Sequence, residues 1–474
     1  MTTECSAEQL EFHALGSRDV VGRFDGGRIT SDGGGLLLRE VDHRLGMLQR
    51  LANGFTDYRN PNSVEHSVHA LVAQRVYGLA LGYEDLNDHD ALRSDSVLAL
   101  LVGKRDLTGE GRERERDRGY PLAGSSTLNR LELGTPEAAA VDRYKKIAAD
   151  PAALDRLLVD LFLESHEKPP REIWLDLDAT DDPLHGHQEG RFFHGYYRCY
   201  CYLPLYIFCG EHVLCARLRP SNQDGAAGSI EELERIIAQI RTRWPKTRIV
   251  IRGDSGFCRD AIMRWCEDHG VGYVLGLARN RRLHRALGRE MQEAREEQER
   301  TGKAARRFRD FRYRTRQSWS CDRRVVGKAE VLPGKENPRF VVTSLPRSRA
   351  GAKHLYEALY CVRGEMENRI KEQQLGLFAD RTSTATMRAN QLRLYFSSFA
   401  YVLMHGLRRL GLKGTRHEKA QCTTIRLKLL KIGARIRVTV RKVWLSFSEA
   451  YPYASDVAQI LANVRRYPAW APPD

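Results

Sequence analysis

An α/β fold is expected for this 474-residue chain, and three observations point to it. Apolar, β-branched and aromatic runs at 173–178, 196–208 and 212–219 follow one another closely and read as strands. Ile230, Leu233, Ile236, Ile237 and Ile240 then recur at helical spacing, followed by strand 248–253, helix 260–269 and strand 271–277. From 279 the pattern changes to a basic segment with short β-rich runs at 323–332 and 339–345.

Three hairpin-like strands followed by alternating helix and strand describe the start of a ribonuclease-H-like fold. The helix around Glu367 would close it. Asp254 and Glu367 are 113 positions apart, too many for a simple connection. The expected architecture is therefore a ribonuclease-H-like catalytic core interrupted by a β-rich insertion, with a mostly helical N-terminal DNA-binding region and a basic C-terminal region. The expected boundaries are 1–140, 171–278, 279–345, 346–412 and 413–474. In the first region, Ser31-Asp32 before Gly33-Gly34-Gly35 reads as a helix start. Those glycines lack the Gly-Lys-Ser/Thr ending of a nucleotide-binding loop. Val68, Leu71, Val72, Val76 and Leu79 form a buried helical stripe. A long apolar helix occupies 392–407.

Lys and Arg total 76 against 61 Asp and Glu, a formal net charge of +15. Such an excess favours a polyanionic partner through counterion release and steering. It is concentrated: 279–316 carries 14 Lys or Arg against 6 acids, and 388–442 carries 14 against Glu418 alone. The ten Cys form no Cys-x-x-Cys pair, which argues against a zinc ribbon or redox motif. The first residues lack a secretion pattern, and 394–407 is too short to span a bilayer. A reducing cytoplasm is the expected compartment.

The chemistry is expected at Asp178, Asp254 and Glu367. Asp178 ends one strand-like run, Asp254 ends another, and Glu367 lies on the helix-like stretch 360–371. Phosphodiester chemistry needs an activated water or hydroxyl on one side and a stabilised leaving oxygen on the other. Two Mg²⁺ ions about 3.5–4 Å apart do both, held by carboxylates. A strand-end Asp alone is more often a turn cap, and alternation puts Asp176 on the same face as Asp178, leaving the two open. Tyr360, Arg363 and Glu367 fall at i, i+3 and i+7 on one helix face. Arg363 and Tyr360 could then bind phosphate oxygens. Lys371 is either a helix partner of Glu367 or a second phosphate contact.

Other candidates are weaker. The helix opening at Ser125-Ser126-Thr127 and carrying Arg130 is either a groove-reading helix or an amphipathic surface helix. Trp319 is either a core residue or a platform for a displaced base. His185, His187 and His194 fit a loop better than a zinc site. Asp85, Asn87, Asp88 and Asp90 lack the glycine of a calcium loop and read as a capped loop.

Three motifs together resemble the DDE transposases of bacterial insertion sequences, specifically the IS-thirteen-eighty family. They are Asp178-Ala179-Thr180, Arg252-Gly253-Asp254-Ser255-Gly256-Phe257, and Arg363-Gly364-Glu365-Met366-Glu367-Asn368-Arg369-Ile370-Lys371-Glu372. Tyr196-Tyr197, Cys201-Tyr202-Leu203-Pro204-Leu205 and the stretch Gly82-Tyr83-Glu84-Asp85-Leu86-Asn87-Asp88-His89 add to it, over roughly 28–450. The resemblance implies Mg²⁺-dependent cut-and-paste transposition, with Mn²⁺ able to substitute. It favours Asp178 over Asp176, because the related motif is Asp-x-Thr. Further implications are terminal inverted repeats and target DNA as double-stranded partners, a homodimeric synaptic complex, and a place at the bacterial nucleoid. Broader relatives carry a basic residue after Tyr, Arg and Glu. Here Gln374 occupies that position, so Lys371 or Arg369 would take its place. Two rivals remain: a nuclease of the same fold that cuts without joining, and a non-catalytic DNA-binding descendant.

Overall fold

The computed structural model describes residues 9–471 apart from 136, 138–140 and 143. The chain forms two compact units, one of residues 150–402 and one of residues 1–149 with 403–474.

The 150–402 unit opens with helix α1 (Pro151–Glu164), started by Asp150, whose carboxylate accepts from the Ala152 and Ala153 N–H groups. Strands β1 (Glu172–Ala179), β2 (Leu205–Cys209) and β3 (His212–Arg217) follow. Next come helix α2 (Ser229–Arg243), strand β4 (Arg248–Gly253), helix α3 (Asp260–Asp268) and strand β5 (Gly272–Leu277). Helix α4 (Gly288–Thr301) leads to β6 (Ala305–Tyr313), β7 (Arg323–Leu332) and β8 (Arg339–Thr343). Helices α5 (Gly364–Leu377) and α6 (Met387–Leu410) complete the sequence of elements.

One nine-stranded mixed sheet holds these strands in the order β3-β2-β1-β4-β5-β8-β7-β6, with a short strand, Lys335–Glu336, paired to β7. β2 is antiparallel to β1, whereas β1, β4 and β5 run parallel. Alternation assigns the faces. Ile173, Leu175 and Leu177 enter the main core with Phe162 of α1 and Ile236 and Ile240 of α2. Trp174 faces the other way, towards a smaller cluster in which Val250 of β4 and Val274 of β5 pack under Leu355 and Tyr356. Asp176 and Asp178 share that second face by register.

The expected run 196–208 divides into Cys199–Tyr202 and β2, because Pro204 lies between them and offers no backbone N–H. Cys199–Tyr202 joins a small sheet with Asp182–Pro183 and Phe192–His194. The basic segment 279–345 also contains α4, a helix hidden in sequence by its charge, since only Met291 and Ala294 of it are buried. Its strands extend the large sheet through the β5–β8 pairing.

In the other unit, six helices lie between residues 36 and 132, and the longest, Val68–Leu81, is buried from Ala70 onward. The sequence boundaries separate 1–140 from 413–474, yet one unit holds both. Strand Arg28–Thr30 pairs antiparallel with Ala434–Val438, a contact between chain ends that no local pattern reveals. Gly34 shows why a glycine run precedes the first helix: a Cβ there would stand 1.9 Å from the Leu429 carbonyl oxygen. Among the described residues no helix is long and apolar enough to cross a membrane.

Candidate active site

Asp178 and Asp254 sit at the carboxyl ends of adjacent parallel strands. Register pairs Arg252 with Asp176 and Gly253 with Leu177, so the next step sets Asp254 beside Asp178, about 4.8 Å away across the ladder. The two-residue period also aligns Asp176 and Arg252 one pleat deeper, and these pair with each other. Arg252 Nε donates to Asp176 Oδ1 at 2.5 Å and one terminal nitrogen donates to Oδ2 at 2.7 Å. The other terminal nitrogen reaches the Leu359 carbonyl at 2.5 Å. Both side chains are buried, at 5% and 7% exposure. Asp176 is thus committed to a structural ion pair, which leaves Asp178 as the available strand-end carboxylate.

Glu367 enters through a continuous helical stretch in which α5 is preceded by a π-helical turn, Leu355–Tyr360, and a 3-10 turn, Cys361–Arg363. Arg363 lies against both residues expected on its face, donating to Glu367 and acting on the Tyr360 hydroxyl. Tyr360 lies over β5. A Cβ at Gly276 would stand 2.5 Å from its hydroxyl and 3.1 Å from the Asp254 carbonyl carbon, so only glycine permits this approach. Arg363 stands between two carboxylates, 2.8 Å from Glu367 Oε1 and 3.9 Å from Asp178 Oδ1. Burial, with Asp254 and Glu367 adding to it, pushes the Asp178 carboxyl up to about 7 against the pull of Arg363. Asp254 spends one oxygen on its turn, accepting from the Gly256 N–H at 2.8 Å, as a turn cap would.

The remaining expected residues lie as follows. Lys371 is exposed on α5. Arg369 pairs with Glu211 and, at 3.8 Å, with Glu372. Gln374 donates to the Asp181 carbonyl. Arg130 is exposed on Ser125–Glu132, its guanidinium over the Tyr144 ring, while Leu128 and Leu131 are buried. Trp319 is a correction: it is 7% exposed, packs edge-on against Tyr313 and belongs to the main core, so its ring offers no platform for a base. His185 and His187 lie in a loop, with His187 bonded to Arg191, whereas His194 ends the strand Phe192–His194 and accepts from the Tyr197 N–H. The acidic run at 85–90 caps its own turns and the Ser125 end of a helix.

Sequence reasoning assigned no role to Arg252 or Gly276. Arg252 had a signal, since it lies two residues before Asp254 and therefore on the same strand face. Gly276 had none, because its neighbour Tyr360 is 84 positions away.

Three carboxylates are the hard oxygen donors that suit Mg²⁺. A dication would also offset the burial, and after it the neighbouring carboxylates, that raise Asp178. As the side chains stand, no three His, Cys, Asp or Glu among the described residues gather into a metal-holding cluster; Arg363 lies between Asp178 and Glu367 instead. The donor chemistry fits the ion, provided that Arg363 moves.

An acidic site at parallel strand ends with cations beside it is suited to phosphate-ester chemistry. Residues 12–469 match the family model described as transposase DDE domain group 1. The chain belongs to this family of DDE transposases. Membership carries a transposase function and DNA as the partner, and the family generally uses divalent metals. No curated protein matches the chain in sequence.

Proposed function

We propose that the protein is a cut-and-paste transposase of the IS-thirteen-eighty type, cleaving DNA at terminal inverted repeats and joining the freed end to target DNA. The observation that carries this is the register of β1 and β4, which sets Asp178 beside Asp254, with Arg363 linking Asp178 to Glu367. The strand order β3-β2-β1-β4-β5 with β2 antiparallel supports the ribonuclease-H-like core, and the strands of 279–345 are then its insertion.

In this reading Asp178, Asp254 and Glu367 hold two Mg²⁺ or Mn²⁺ ions, which when bound supply activation of the attacking oxygen and stabilisation of the leaving one. Arg363 turns from the carboxylates to a phosphate oxygen, a charge-assisted bond that its fork suits. Tyr360 donates its hydroxyl to the same strand. Arg252 keeps β1 and β4 in register beneath the reacting phosphate. Lys371, exposed four residues after Glu367, takes the backbone contact that Gln374 cannot; Arg369 is held by Glu211. Arg130 and its helix read the repeat, and two copies pair the two ends.

The test is incubation of labelled repeat-containing duplex with the protein and Mg²⁺. The expected result is cleavage followed by covalent transfer to a second duplex, lost in Asp254→Asn. Cleavage without transfer would replace the reading with a nuclease. Undiminished cleavage by Asp254→Asn would defeat the site assignment.

A further inference from the structure

A cleft of about 510 Å³ opens beside Asp254 over the carboxyl end of β5, with Arg363 at its border with the three carboxylates. Its walls carry Arg279, Lys335 and Arg339, its floor Tyr356 and Tyr360, and its acid is Asp254. Tyr356 and Tyr360 stack obliquely, with ring centroids 5.6 Å apart.

The charge of this cleft differs in kind from that of the segment around it. Elsewhere in 279–345 many cations already face carboxylates: Arg295 faces Glu336, Arg306 Glu330, Arg307 Glu297, Arg323 Glu267 and Arg324 Asp310. Among the described residues no carboxylate pairs with Arg279, Lys335 or Arg339, and Arg339 bonds only the Asn337 side chain, at 3.0 Å. Many cations of this segment are thus neutralised in place, and three of those that are not, Arg279, Lys335 and Arg339, gather at the wall of one cleft. An open cationic cleft with no acid except one at its end calls for a polyanion. Its volume is that of a small-ligand site, which admits the backbone of one strand and not the width of a duplex.

We propose that this cleft binds the phosphodiester backbone of the single DNA strand adjacent to the cut. Arg279, Lys335 and Arg339 are its phosphate contacts. The inference rests on the reading of Asp254 as part of a DNA-cleaving site. A strand whose reacting phosphate lies at Asp254 continues directly into the cleft, where ordinary backbone contacts hold it without reading its sequence.

The test uses fluorescence anisotropy of the full chain with a repeat-containing duplex bearing an unpaired tail next to the cut, in Ca²⁺, across a salt series. Removing three single-strand phosphate contacts lowers the slope of log affinity against log salt by roughly 2. That loss is expected in the triple variant Arg279→Ala/Lys335→Ala/Arg339→Ala, with the repeat and with a scrambled tail alike. The charge-keeping pair Arg279→Lys/Arg339→Lys retains the slope, as does Arg307→Ala, whose cation is already paired. A triple variant that melts like the wild type and keeps its slope would overturn the cleft. Wild-type protein that binds no tailed duplex would overturn the DNA-cleaving reading as well.

Discussion

Replacing Arg252 by Met removes three bonds from a buried position between the strands that carry Asp178 and Asp254. Asp176 then keeps a carboxylate at 5% exposure with neither of its contacts, at 2.5 and 2.7 Å, remaining. Breaking a buried ion pair from one side costs about 3–5 kcal/mol, because the other charge is stranded. The Leu359 carbonyl also loses its charged donor. Removing both charges is a different matter. The double variant Asp176→Leu/Arg252→Met strands no ion and is expected to fall within about 2 kcal/mol of the wild type, the residual cost being the Leu359 bond. The assay is a double-mutant cycle by urea unfolding at pH 7.5, followed through tryptophan fluorescence, since Trp174 lies beneath the Arg252 guanidinium at 5.4 Å. Burial already holds the Asp176 carboxyl above its usual range, with Arg252 opposing that rise. In Arg252→Met the carboxyl rises further. A raised folded-state value gives stability that is present in acid and lost as pH increases, so this variant is most damaged at high pH. Single variants that each cost under about 1 kcal/mol, or costs that simply add in the double, would refute the reasoning.

Three other perturbations follow from the same geometry. Arg363→Gln removes the cation between Asp178 and Glu367; Mg²⁺ titrations of melting temperature are expected to show up to about fivefold tighter binding, since a part-exposed pair contributes at most about 1 kcal/mol, while DNA cleavage is lost. Gly276→Ala drives a methyl group towards the Tyr360 hydroxyl; the expected cost is about 1–3 kcal/mol of stability, read by urea unfolding, with a fall in cleavage larger than any fall in DNA affinity. Burial, then Arg75, hold His89 down to about 3, so its contribution to stability is complete above its ordinary value of 6.5 and is lost as pH falls. Between pH 6.5 and 5 the protein is expected to lose roughly 2 kcal/mol through this group, and unfolding curves of His89→Gln should show a shallower slope over that window.

Much of the sheet was legible because its strands are short apolar runs with clear ends. The expected strand 248–253 is β4 and the expected strand 323–332 is β7. The alternation in 173–178 correctly put Asp176 and Asp178 on one face, but sequence could not choose between them. The choice lies in Arg252, a partner 76 positions away. Helix α4 was hidden because Arg and Glu outnumber apolar residues along it, leaving little periodic signal. Trp319 was open for the opposite reason: a tryptophan suits a core or an exposed platform equally well until its neighbours are known. The π-helical turn that ends at Tyr360 left no mark in composition.

Diffraction from crystals of the protein bound to repeat-end DNA in Mn²⁺, recorded at the manganese absorption edge, tests the account most directly. The anomalous signal is expected among the side chains of Asp178, Asp254 and Glu367, with Arg363 drawn away onto a phosphate. Manganese bound elsewhere on the chain, or DNA seated on the protein while Arg363 still joins Asp178 to Glu367, would contradict it.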